Sequence, residues 1–281
     1  MEEVAPGIYV ENGYRGANVG LVLTEEGGIC IDTPMIPEQA RRWANKVKEL
    51  TDGRILFVIN TDHHRGHMLG NQYFSAPVIA HQRAWREMKS YGDHFRQRVI
   101  DSFKREPEVA EQLANLVIVV PEVTFIDRMS LSYGRRTLRL IHLGGHTAAS
   151  SVVYVPDEKI LFAGDLVWVD QHPYMAQANS KEWLDALTHI RKMAAGRIVP
   201  GHGPLCGREA TERVSDYIRT MRARVRQLQR AGCSRTETAG TLLEELLPWF
   251  PIPPERKSKI ETQIKQGVGK VYDQLAKQDE E

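Results

Sequence analysis

Short apolar runs separated by turn residues open the chain. GIYVENG, NVGLVLTEEGG and GICIDTP each hold a few apolar positions bounded by glycine or proline, which predicts strands joined by tight turns in stacked antiparallel sheet. The period then changes. PEQARRWANKVKEL puts Ala40, Trp43, Val47 and Leu50 on one face at helical spacing, and RILFVINT follows as a fully apolar strand. Helical spacing returns from about Gln82 to Phe103. A second series of strands is predicted in LVIVV, TLRLIHL, SSVVYV and KILFAGD, then a helix over SKEWLDALTHIRKMAAG and a last strand in RIVPGHGP. The two halves share a plan but no sequence repeat. Two mixed β-sheets packed face to face with helices outside, an αββα four-layer sandwich of the α/β (α+β) class, would bury all of these apolar faces.

From about Arg208 the spacing is helical throughout. Val214, Tyr217, Ile218, Met221, Val225 and Leu228 form one stripe. SRTE at Ser234–Glu237 is a capping-box pattern that opens a second helix, which Pro248 should end. PIPPERKSK starts a third, with Ile260, Ile264, Val268, Val271 and Leu275 on one face. The division predicted is an αββα domain over 1–207 and a C-terminal helical extension over 208–281, acting as a cap or as an oligomerisation element, for example in a homodimer.

Composition narrows the class of partner. The formal net charge of the 281 residues is +1, so overall electrostatics favour neither nucleic acid nor a membrane surface. No apolar run approaches the roughly 20 residues that span a bilayer. Arg208–Arg230 carries seven arginines against three acids. Without interleaved aromatic residues, this is expected to be a solvated helix face rather than an RNA-binding one. MEEVAPGIYV has neither the basic start nor the apolar core of a secretory signal, and the three cysteines form no CxxC pair. The expectation is a cytoplasmic protein acting on a small molecule, with no nucleic-acid or membrane partner.

The chemistry collects at four places, each a Gly-bearing loop after an apolar strand. They are NTDHHRGH at Asn60–His67, His146 in GGHTAAS, Asp165 in FAGD and His202 in VPGHGP. In this order, from about Ala5 to Pro204 and together with the early GANVGLVLTEEGGICIDTP, they resemble the metallo-β-lactamase superfamily of metal-dependent hydrolases. The first motif of that family reads H-x-H-x-D-H after a Thr, whereas Thr61 is followed here by D-H-H-R-G-H. Asp62 therefore stands at the first histidine position, His64 at the second, Gly66 at the aspartate and His67 at the last histidine. His146 matches the third metal histidine, Asp165 the bridging aspartate and His202 the final histidine.

The resemblance implies one site of Asp62, His64 and His146, and a second of His67, Asp165 and His202 that has lost one carboxylate at Gly66. Zinc is the implied ion, one or two per chain, and the extra carboxylate also suits iron or manganese. A metal-bound water would then attack a small ester, lactone, thioester or amide. Asp165 and His67 are assigned a catalytic as well as a ligating part. His63 alternates away from Asp62 and His64 if the segment is extended, which points to a neighbouring or core position rather than a ligand. His172 and Tyr174, in DQHPYM, are candidates for substrate contact, and Cys206 follows the last loop near the site. His81, His142 and His189 are expected to be structural or surface residues. Two other readings remain open at this point. His64, His146 and a carboxylate could form an iron site for oxygen chemistry, or the fold could persist in an attenuated binding or regulatory protein.

Overall fold

The computed structural model describes residues 1–280. Strands β1 (Glu2–Ala5), β2 (Ile8–Glu11), β3 (Val19–Leu23) and β4 (Gly28–Ile31) form an antiparallel meander. β5 (Ile55–Asn60), β6 (Val78–His81) and β7 (Val123–Phe125) extend it by parallel pairings into a seven-stranded sheet in sequence order. The second sheet contains β8 (Arg128–Tyr133), β9 (Arg136–His142), β10 (Ser151–Val155), β11 (Ile160–Trp168) and β12 (Arg197–His202). Its order is β12-β11-β10-β9-β8, with only β11 and β12 parallel. Both sheets are therefore mixed, as the pattern predicts.

The sheets face each other across an apolar core in which Ile29, Ile59 and Ile79 of one meet Leu138, Val153 and Phe162 of the other. Gly20 is required there, because a Cβ at that position would collide with the Phe162 ring. On the outer face of the first sheet, helix α1 (Pro37–Leu50) packs Trp43 and Val47 against Leu21, Cys30 and Val58. α2 (Arg65–Met68) follows β5, and α3 (Gln82–Lys89), α4 (Asp93–Asp101) and α5 (Pro107–Leu113) lie between β6 and β7. α6 (Ser180–Lys192) covers the outer face of the second sheet, resting Trp183 and Leu187 on Val152 and Leu161.

The tail joins that same layer. α7 (Glu209–Arg230), α8 (Arg235–Leu246) and α9 (Lys257–Glu280) bring Val214, Leu242 and Val268 into one apolar cluster with α6 and β11. Ser234 and Glu237 form the capping box that starts α8, and the helix ends before Pro248. No helix of the described residues is long and apolar enough to cross a membrane.

Three details differ from the pattern-based expectation. The helix predicted over Gln82–Phe103 is two helices broken at Ser90–Gly92, where Tyr91 leaves the helical path and stacks its ring 3.9 Å from that of Phe95. LVIVV is not a strand. Val117 is 56% exposed, and the segment runs irregularly into Pro121, which has no amide to give to a ladder. The edge strand is β7 instead. β1 and β8 were not predicted, since both are edge strands whose alternation is diluted by polar residues.

Because the tail shares its core with the second sheet, it should melt with it. Leu242→Ala is expected to lower stability by about 2–5 kcal/mol, in the same single urea transition that Leu187→Ala affects. A separate transition for the tail would show that the helices form their own unit.

Candidate active site

The site is built at one end of the sandwich, where β5 and β12 end and β11 bulges inward. Asn60 at the end of β5 donates to the carbonyl of His67 at 2.9 Å, and Thr33 donates to the same oxygen at 3.1 Å. These bonds fold Thr61–His67 into a compact turn closed by α2. Within β11 the chain bulges at Gly164, which adopts φ +52°, and this aims Asp165 inward. Asp165 thus lies inside a long strand rather than in the loop beyond it, as the pattern suggested. Gly201 of β12 supplies the space, since a Cβ there would overlap the Asp165 carboxylate.

Three imidazoles converge on that carboxylate. His67 Nε2 lies 3.3 Å and His202 Nε2 3.2 Å from Asp165 Oδ1, and His146 Nε2 lies 3.2 Å from Oδ2. Burial would raise the Asp165 pKa, but the histidines around it, His202 and His67 first, hold it well below the usual carboxylate range. His67 is lowered by burial yet raised overall by Asp32 and Asp165 on either side. His64 is driven down to about 4, chiefly by burial, so it presents a neutral ring at neutral pH. Its Nδ1 is 3.1 Å from His146 Nε2, and its Nε2 is 2.8 Å from Gln177 Oε1.

The residues assigned to metal binding come together in two groups. Asp62, His64 and His146 form one, and His67, Asp165 and His202 the other. The second group fits a cation closely. His67 Nε2 and Asp165 Oδ1 are buried without a hydrogen-bond partner, and a cation would satisfy both. Imidazole nitrogen and carboxylate oxygen are donors suited to zinc.

Asp62 is placed differently from an open ligand. Its Oδ1 accepts the amides of His63 at 2.7 Å and His64 at 3.1 Å, and its Oδ2 accepts the hydroxyls of Thr147 and Ser150, each at 2.8 Å. Four donors match the roughly four lone-pair sites of a carboxylate. Asp62 therefore ties the first loop to the loop after His146. Burial opposes its ionisation, but the neighbouring imidazoles, His64 first, keep its pKa below the ordinary range.

The remaining candidates divide. Tyr174 stands beside the centre, its ring 5.9 Å from that of His64 and 6.3 Å from that of His146. His172 does not. It is buried against Tyr217 and Phe250, with ring centroids 5.8 and 5.2 Å away, because the tail folds over it. His63 belongs to neither ligand group and instead pairs Nδ1 with the Tyr91 hydroxyl at 2.7 Å. Cys206 lies against Ile198, at the opposite end of β12 from His202. His81 and His142 stack on each other at 3.7 Å away from the ligand groups.

Two residues outside the motif-based set complete the centre. Asp32 accepts from Thr61 N at 2.8 Å and Thr61 Oγ1 at 2.6 Å, and it lies 2.8 Å from His67 Nδ1. It fixes the tautomer that leaves His67 Nε2 free. Its place directly after the apolar strand β4 is a signal available from the strand-end pattern, whereas its left-handed conformation, φ +55°, is seen only in the structure. Gln177, which performs the same service for His64, sits in an ordinary loop sequence and has no such signal.

If Asp62 organises the loops, Asp62→Ala should lower the stability of the metal-free protein by roughly 3 kcal/mol, because buried donors lose their acceptor. Urea denaturation in the presence of a chelator measures this. A residue serving only an ion would leave the metal-free stability unchanged.

The match to known proteins agrees with this geometry. The family model described as the metallo-beta-lactamase superfamily matches residues 12–202. The chain is 28% identical over 229 residues to the human (Homo sapiens) acyl-coenzyme A thioesterase MBLAC2, covering 75% of this chain and 81% of that protein. It is 24% identical to metallo-beta-lactamase type 2 of Bacteroides fragilis, covering 73% and 76%. Among solved structures, a metallo-beta-lactamase family protein from Thermus thermophilus superposes with a TM-score of 0.69 at 17% identity, over 99% of this chain and 95% of that one. That likeness of fold therefore takes in the helical tail.

Proposed function

The chain belongs to the metallo-β-lactamase superfamily and is a metal-dependent hydrolase in kind, and from that premise we propose that it cleaves a small carbonyl substrate using zinc. The substrate class is an ester, lactone, thioester or amide. A thioester is placed first, on the likeness to the human thioesterase. The observation that carries the reading is the convergence of His67, His146 and His202 on the buried Asp165 carboxylate, with His67 Nε2 and Asp165 Oδ1 unpartnered.

His67, Asp165 and His202 would hold the ion, with His64 and His146 available beside them. When bound, zinc lowers the pKa of water toward neutrality and polarises a carbonyl oxygen. The chain's own residues supply the rest. Asp32 and Gln177 hold His67 and His64 in the tautomers that turn their free nitrogens inward. Trp168 stacks 4.0 Å from the His202 ring, and Trp183 meets the His146 ring edge-on at 5.1 Å, so both imidazoles are braced by indole surface. Tyr174 forms a wall against which an acyl group can lie.

Gly66 leaves no carboxylate between the two ligand groups, which favours one firmly held ion over two. In the iron reading, of His64, His146 and a carboxylate, Asp62 is the weaker choice of carboxylate because four protein donors already occupy it.

Purified protein is expected to contain about one zinc per chain and to hydrolyse a short-chain acyl thioester. Chelation should abolish turnover and added zinc restore it. His67→Ala should both empty the site and lower kcat/KM by about a thousandfold or more. Absence of metal, or metal with no turnover of any of the four substrate types, overturns the reading. A Cβ at Gly66 would have Ala17 N as its nearest neighbour at 3.4 Å, an ordinary contact. Gly66→Asp should therefore fold and raise zinc content toward about two per chain, by elemental analysis.

A further inference from the structure

A cavity of about 440 Å³ opens beside the centre, walled by α3, the loop after His146, the loop after Tyr174 and α9. Three cations line it. Arg83 and Arg86 are one turn apart on α3 and so share a face, and Lys270 enters from α9. Glu87 is the only acid in its lining.

Among the described residues these three cations make no ion pair. Arg83 donates to the carbonyl of Ala148 at 3.3 Å and Arg86 to Gln82 Oε1 at 3.4 Å, both neutral acceptors at long range. Like charges gathered around one cavity repel unless an anion enters among them.

The cavity and the centre share walls. Gln177 lines the cavity while its Oε1 faces His64 Nε2, which leaves its amide hydrogens free to donate. Thr147 lines it too, and its hydroxyl holds Asp62. A ligand anchored between the arginines and Lys270 would pass over Gln177 to reach His64. The geometry points to a substrate whose far end is a phosphate monoester, seated by Arg83, Arg86 and Lys270 while its carbonyl lies at the histidine centre. Three cations against one acid suit a dianion, and the planar fork of arginine suits phosphate oxygens. The inference rests on the hydrolase reading and adds the part of the substrate remote from the bond that breaks. Binding energy from that remote part is available to position the carbonyl.

The test uses the zinc-loaded full chain and two thioesters that differ only in the anion, S-butyryl pantetheine and S-butyryl 4′-phosphopantetheine. The phosphorylated one should have a kcat/KM higher by about tenfold or more. Arg86→Gln and Lys270→Gln should each move that ratio toward one, mainly through KM, and Glu87→Gln should increase it. Equal kcat/KM values for the two substrates, or a ratio indifferent to all three substitutions, overturns the proposal. Should neither be hydrolysed, the thioester reading fails on its own. Calorimetric binding of 4′-phosphopantetheine then decides the pocket. Binding weakened about tenfold by Arg86→Gln supports it, and equal binding overturns it.

Discussion

A carboxylate held away from water has to be met by positive charge or by hydrogen-bond donors, and the fold at this end of the sandwich is arranged around that need. Asp165 is only 5% exposed. Its oxygens face His67 of α2, His146 of the loop between β9 and β10, and His202 at the end of β12. The bulge at Gly164 turns the side chain inward, and the missing side chain at Gly201 makes room for it. An ion at this place would complete the balance of charge that the imidazoles begin.

Two further buried aspartates stabilise the frame. Asp32 ties the end of β4 to Thr61 and His67, so the first sheet sets the angle of that imidazole. Asp62 joins the amides of its own loop to the hydroxyls of Thr147 and Ser150, so the loops bearing His64 and His146 move as one. A histidine at position 62 could accept at one nitrogen only and could not tie both loops in this way. An aspartate at this position thus gives the two loops a shared acceptor.

The helical tail contributes to the site as well as to the core. Gln274 of α9 accepts from the amide and hydroxyl of Ser180 at 3.1 and 2.8 Å and donates to the carbonyl of Ala178 at 2.5 Å. Those contacts brace the loop that carries Tyr174 and Gln177. The same helix brings Lys270 to the neighbouring cavity. The apolar stripe of the tail packs on α6 and β11, within the chain's own outer layer.

Local pattern by itself determined most strands rich in apolar residues, the tail helices with the capping box of α8, and the four segments that carry histidine or aspartate, because each of these is written in consecutive residues. The metal-capable set His64, His67, His146, Asp165 and His202 was legible for the same reason: each stands in or after an apolar strand, and all but His64 directly follow a glycine. Pattern was weakest where burial is partial, as in LVIVV, the edge strands β1 and β8, and the break at Tyr91. Only the tertiary structure decided what each polar group faces. His172 and Tyr174 are two residues apart in one loop, yet one lies under the tail and the other beside the centre. Asp62 has the composition of a ligand, but its two oxygens are occupied by donors, two of them from a loop some 85 residues further along. A residue type states what a side chain can bond. Which bonds it makes depends on donors and acceptors distant in sequence, and these meet only once the sheets have packed.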